Sequence, residues 1–245
     1  MARSAKLLTA GVDGFKLGWV VAFLEDGRSG LRARIALAER FEEVRDCTAD
    51  CEAVGIDIPI GLSDDGGREC DSAARGILGE RASSVFPAPV RAVLAAKTHQ
   101  EANRISRRAA QVGITAQAFA LVPKIREVDE VITRRLQARM FEVHPELCFQ
   151  QALNGGKPLG FPKRSAIGAV QRLRLLQAVG IDAHGLVSEW ELSAARRLAG
   201  KVGLDDLLDA LAAAWTARRK VQGLAKDVTE TAERDGKGLL MQMTW

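Results

Sequence analysis

The chain has no tyrosine, few aromatic residues (5%), three histidines and four cysteines in 245 residues. Each shortage excludes something. Single-strand binding that relies on stacking bases needs aromatic platforms, and residues 68–139 offer only Phe86 and Phe119. A compact phosphorylated substrate remains open. Cys47 and Cys51 are four apart rather than three, and no histidine accompanies Cys47, Cys51, Cys70 or Cys148 at zinc-finger spacing. The cysteines read as reduced thiols of a cytoplasmic protein. No apolar run reaches the ~20 residues that span a bilayer. The opening Met-Ala-Arg-Ser-Ala-Lys leads into a short apolar stretch that soon meets Asp13, unlike a secretory leader. With 47% hydrophobic and 27% charged residues, the composition is that of an ordinary folded domain, not a disordered, collagen-like or disulfide-stapled chain.

Charge is unevenly placed. The formal net charge is +4, yet residues 1–67 carry 8 basic and 12 acidic side chains. Residues 68–139 carry 13 basic and 7 acidic side chains, net +6. A basic insert within a slightly acidic scaffold fits this pattern, and an anionic partner would suit the insert. Basic helices are also often no more than solvated faces.

The pattern predicts strands at Leu7–Val12, Gly18–Leu24 and Leu31–Ala38, joined by short turns (Glu25 to Arg28 is one) into an antiparallel meander. A short helix over Arg40–Cys47 and a buried strand over Ala53–Ile60 follow. Helical patterns cover Arg68–Ala82, Val90–Lys97, His99–Val112 and Ala116–Gln137, the last with a kink or break expected at Pro123. A last strand is predicted at Met140–His144, then helices near Lys163–Ala178, Ser188–Ala199 and Asp205–Gln222. The expected fold class is α/β, a mixed five-stranded sheet flanked by helices. It would form a single domain over residues 1–245, with a mostly helical insert at about 68–138 between the fourth and fifth strands.

Several acids stand out against this frame. Asp13 ends the first strand, and Asp57 interrupts an apolar run between Ile56 and Ile58. A carboxylate in such a place is costly unless it is paired, hydrogen-bonded or on a metal. Asp206 and Asp209 are three apart and share one helical face, with Asp205 suited to the N-cap. Acids in a first helical turn also favour the helix dipole, so this group has a structural reading as well. Glu142, and Glu146 just beyond it, are further acids near the last strand, and His144 between them is a proton carrier or a hydrogen-bonded structural residue. Among the cations, Arg68, Arg75, Arg81, Lys124 and Arg126 lie in Gly- or Pro-bounded segments of the insert, and Lys163 begins a later helix. Guanidinium groups suit bidentate phosphate recognition. Lys124 could instead pair with Glu127, and Arg126 with Asp129, on their own helix.

The acids resemble the site of the RNase H-like superfamily. Asp13 ends the first strand, which opens the meander, Asp57 follows on the fourth strand, and Asp206-Leu207-Leu208-Asp209-Ala210-Leu211-Ala212 looks like the D-x-x-D-A-L-A helix of Holliday-junction resolvases. Most of the chain, about residues 8–220, is similar to the group called domain of unknown function 429, described as predicted nucleases of that fold. The matching stretches are Gly11–Gly14 with Gly18-Trp19, Ile56–Gly61, Arg68–Asp71, Ser84–Pro87, Pro123–Asp129, Phe141–Glu146 and Asp205–Ala210. The resemblance implies two magnesium or manganese ions, with Asp13, Asp57 and Asp209 as metal ligands. Asp206 and Glu142 would be further ligands or water-orienting bases, and Lys124 would stabilise developing phosphorane charge. Arg68, Arg75, Arg81, Arg126 and Lys163 would bind substrate, and the activity implied is phosphodiester hydrolysis on a nucleic acid or a phosphorylated small molecule. Two alternatives stay open. Asp13-Gly14 with Gly18 is distantly similar to the first phosphate loop of sugar kinases and actin, which implies nucleotide binding. A non-catalytic binding protein with an incomplete acid site is the other.

Overall fold

The computed structural model describes residues 7–27, 30–193 and 201–245. The leader reading of residues 1–6, Arg28 of the predicted turn and the last part of the helix predicted over Ser188–Ala199 lie outside the described residues.

Strands β1 (Leu8–Phe15), β2 (Gly18–Gly27) and β3 (Gly30–Ala38) form the expected antiparallel meander, with Gly14 opposite Trp19 and Val21 opposite Ala36. Helix α1 (Phe41–Cys47) leads to β4 (Ala53–Ile56), which runs parallel to β1 with Val12 opposite Ile56. With β5 (Met140–Glu142) the sheet has five strands in the order β3-β2-β1-β4-β5, both parallel and antiparallel. The α/β architecture of the sequence reading therefore holds. The remaining helices are α2 (Glu69–Leu78), α3 (His99–Ala110), α4 (Ala116–Val131), α5 (Arg134–Gln137), α6 (Pro145–Leu147), α7 (Ala166–Ala178), α8 (Ala183–Ser193) and α9 (Leu204–Val221). A short hairpin, β6 (Glu233–Arg234) and β7 (Leu240–Met241), lies near the C-terminus.

The chain forms two compact units. One comprises residues up to 57 with 143–226 and Trp245; the other comprises 58–142 with 227–244. The insert expected at about 68–138 falls in the second unit. In the first, α9 lies along β1, β2 and β4, and its Leu207, Leu208 and Leu211 join Val20, Ala22 and Leu24 in a buried cluster that Leu173 and Leu176 of α7 extend. Trp19 packs edge-on against Phe41, ring centroids 5.0 Å apart. In the second unit, Val93, Ala102, Val122, Ile125 and Val128 are buried.

The structure departs from the sequence reading where local chemistry intervenes. β4 stops at Ile56 rather than Ile60; Pro59 cannot donate to a ladder. Pro123 sits inside α4, whose end comes at Ile132, where Thr133 starts α5 by accepting a hydrogen bond from Leu136 N at 3.2 Å. Residues Arg91–Ala95 form a 3-10 turn rather than an α-helix. α7 starts at Ala166, capped by Ser165, and α8 starts five residues before Ser188. No helix among the described residues is long and apolar enough to cross a membrane.

Candidate metal centre

Side chains two apart on a strand share one face. Gly11 and Asp13 are so related on β1, and Gly55 and Asp57 are so related at the end of β4. The glycines set how closely α9 approaches. A Cβ at Gly11 would stand 2.0 Å from Ala214 N and 2.1 Å from Ala210 O, and one at Gly55 would stand 2.6 Å from Ala213 O. The backbone of α9 therefore rests directly on two strands. Asp209, next to Ala210 on that helix, is brought down to the level of Asp13 and Asp57. The parallel register places the two strand acids side by side, and Asp57 N donates to Val12 O at 2.9 Å.

One carboxylate oxygen from each of Asp13, Asp57 and Asp209 lies within 4.8 Å of the others. Asp13 is 7% exposed and Asp209 2%, while Asp57 is half-buried. Burial pushes the Asp13 carboxyl well above the ordinary carboxylate range, and the charges of Asp57 and Asp209 push it further. Asp209 is also raised, by burial, with Lys163 pulling the other way. Lys163 Nζ is 2.5 Å from Asp209 Oδ2. Burial favours loss of its proton, but the negative charges of Asp209, Asp57 and Asp13 outweigh burial and hold the ammonium charged.

Three hard oxygen donors fit a divalent cation. At metal–oxygen distances of ~2.0–2.6 Å, ligands of one ion stand at most about 4–5 Å apart, which matches the observed cluster. Without nitrogen or sulfur donors, the set favours magnesium, manganese or calcium over softer ions. The buried carboxylates thus form a group able to bind a metal ion.

The structure distributes the other predicted residues differently. Asp205 is not the N-cap. Gly203 is, and Asp206 Oδ2 accepts its backbone N–H at 2.9 Å. Asp206 is half-buried and its carboxyl is raised, chiefly by burial. Glu142 is fully engaged within the second unit, accepting from Arg68 Nη1 at 2.7 Å, Arg68 Nη2 at 2.8 Å and Ile60 N at 2.7 Å. Arg68, 1% exposed, also grips Asp71 at 2.5 Å, so it is a buried clamp rather than a substrate contact. Arg75 donates to the carbonyls of Ala82 and Val85, and Arg126 to that of Leu94. Lys124 pairs with Glu127 at 3.2 Å, as the helix-internal alternative had it, whereas Arg91 and Lys237 take Asp129. Arg81 lies half-buried in the 3-10 turn Gly79–Ser84. His144 N-caps α6, and Glu146 is held by Arg172 at 2.6 Å. No disulfide joins the cysteines, and burial pushes the Cys70 and Cys148 thiols up to about 12, away from thiolate chemistry at neutral pH.

Two features went unread in the sequence. The repeated Gly-x-Asp of Gly11-Val12-Asp13 and Gly55-Ile56-Asp57 signals close helix approach beside an acid. The buried Arg172–Glu146 pair, whose charges both bear on Asp209, is signalled by an arginine among the apolar positions Ala169, Leu173 and Leu176 of α7.

A fold with acids converging from two parallel strands and a helix laid on them defines a class of protein built to carry a carboxylate site. Residues 11–234 match the family described as protein of unknown function (DUF429), and the chain belongs to that family. Comparison with curated proteins and with solved structures gave no match.

Proposed function

We propose that this protein is a divalent-metal-dependent phosphodiester hydrolase, nuclease-like, with magnesium or manganese held by Asp13, Asp57 and Asp209. The observation that carries the reading is the approach of these three acids to within 4.8 Å, two of them buried. Burying like charges this closely is unfavourable without a counter-cation, and Lys163 supplies only one charge.

Bound metal, as one ion or a pair, would supply Lewis acidity and a lowered pKa for attacking water. The chain's own residues do the rest. Asp13 and Asp209 fix the ligand directions because strand and helix backbones carry them. Asp206, one turn before Asp209, orients water with the oxygen that Gly203 leaves open. Lys163 moves from Asp209 to a phosphate oxygen and offsets the charge that develops there. The substrate is a nucleic acid or a phosphorylated small molecule.

The test is hydrolysis of labelled DNA, RNA and small phosphodiesters with Mn²⁺, against Asp13→Asn. Losing an outer-shell partner of a metal costs ~10–100-fold, so loss of a ligand should lower turnover more than about 100-fold. Activity unchanged by the substitution rejects the assignment. A second reading, a non-catalytic binding protein, draws support from the Lys163–Asp209 contact, which already neutralises part of the cluster. It predicts no Mn²⁺ binding and no hydrolysis by the wild-type protein.

A further inference from the structure

The second unit holds a cleft of about 550 Å³ lined by Arg134, Arg135, Gln137, Ala138, Arg234 and Leu240. Its size lies within the ~300–1,000 Å³ of small-ligand sites. The walls are fixed. Gln137 Nε2 donates to Leu240 O at 2.8 Å and its Oε1 accepts from Leu240 N at 2.8 Å, tying α5 to β7. Gly238, at φ +76°, makes the hairpin turn, and the Arg134 side chain runs over it, its Cδ 3.0 Å from where a Cβ would stand. Arg234 donates to Gly238 O at 2.7 Å, which points its guanidinium along the turn and leaves further donors of its five for a ligand.

Asp235, Asp129 and Glu233 do not neutralise these cations. Asp235 is buried, paired with Arg91 and bonded to the backbone N–H groups of Leu62, Lys237 and Leu239. Asp129 is taken by Arg91 at 2.5 Å and Lys237 at 2.6 Å. Glu233 precedes Arg234 on β6 and so faces the other side of the strand. Arg134 and Arg135 make no ion pair among the described residues. Three guanidinium groups thus line one cleft whose lining contains no acid.

We propose that this cleft is a phosphate-binding site, in which Arg134, Arg135 and Arg234 grip one phosphate oxyanion. Guanidinium keeps its charge at any working pH, and its planar fork matches phosphate oxygens. No aromatic ring lines the cleft, so recognition runs through phosphate and not through a stacked base. The phosphate comes from the backbone of a nucleic-acid strand or from a free nucleotide. The site does not depend on the hydrolase reading, because its residues are separate from the acid cluster.

The test is fluorescence anisotropy of a labelled single-stranded oligonucleotide in EDTA, beside a calorimetric titration of ATP in the same buffer. The proteins compared are the wild type, Asp13→Asn, and the triple variant Arg134→Gln, Arg135→Gln, Arg234→Gln. All three side chains are exposed, so the triple variant should keep its melting temperature. It should bind the strand at least about tenfold more weakly, with the slope of log Kd against log salt reduced by ~0.7, for the one phosphate no longer neutralised. Binding of ATP but not the strand, lost in the triple variant, supports the same site with a nucleotide as its source. The proposal is overturned if the triple variant matches the wild type, if neither ligand binds the wild type, or if Asp13→Asn loses binding equally.

Discussion

Replacing Asp13 by asparagine should make the metal-free protein more stable and the metal-loaded protein less so. Asparagine keeps the shape and the oxygen that accepts Gly14 N at 2.7 Å, so the change is one of charge. Asp13 faces Asp57 and Asp209 across at most 4.8 Å. At an effective dielectric of ~20, each fully charged pair repels by about 3 kcal/mol. Lys163 offsets much of this, and burial shifts the Asp13 carboxyl towards its neutral form. The expected net gain is therefore about 1–2 kcal/mol near pH 8. For a chain of this size that is a rise of roughly 2–6 °C in the melting temperature. The assay is thermal unfolding in EDTA and in excess Mn²⁺. Wild type should gain substantially from Mn²⁺, since a ligand that binds only the native state stabilises by about 2.7 kcal/mol at a hundred times its Kd; Asp13→Asn should gain little. A lower melting temperature for Asp13→Asn in EDTA, with an undiminished Mn²⁺ shift, would refute the reasoning and make Asp13 a structural carboxylate.

The pH dependence follows with a definite sign. Asp13 and Asp209 are raised in the folded state, so the folded protein binds more protons than the unfolded one above pH ~4. Their contribution to stability is fully present below that value and is lost as pH rises through the folded pKa values. Denaturant titrations in EDTA should show this fall, and Asp13→Asn should flatten it. Mn²⁺ affinity should rise over the same range, because the ligands must lose their protons. Gly11→Ala would place a methyl 2.0 Å from Ala214 N and should cost at least about 3 kcal/mol, read as a large drop in denaturation midpoint with loss of Mn²⁺ binding. Lys163→Met should tighten Mn²⁺ binding about tenfold by calorimetry while lowering turnover; weaker binding contradicts the competition between ammonium and metal. Arg68→Met leaves Glu142 and Asp71 buried without a cation and should cost about 3–5 kcal/mol. If unfolding is unaffected and only the KM for substrate rises, Arg68 is a substrate contact after all.

The sheet was legible because its strands follow simple periods. The alternation in Leu31–Ala38 and the continuous apolar runs of β1 and β2 specify both pairing and burial. Of the three clustered acids, Asp13 and Asp57 were legible because each sits in an apolar pattern where a lone carboxylate is costly, and Asp209 because it shares a helical face with Asp206. The cations were not. A sequence shows that Arg68 and Arg126 are positive, but not that Arg68 is walled in by Glu142 and Asp71 or that Arg126 caps carbonyls 30 residues away. Such partners come from chain crossings that no local pattern records. The end of β4 and the cap of α9 were missed for a smaller reason, since Pro59 and Gly203 decide them through single backbone groups. The C-terminal hairpin was missed because its strands are two residues long, too short for any period to show.

The central claim is that Asp13, Asp57 and Asp209 hold a divalent cation. Anomalous diffraction from crystals soaked in Mn²⁺ tests it most directly. The account predicts a manganese peak within ~2.0–2.6 Å of an oxygen from each of the three side chains, with Lys163 displaced from Asp209. A map with no peak there, and Lys163 still seated on Asp209, contradicts it.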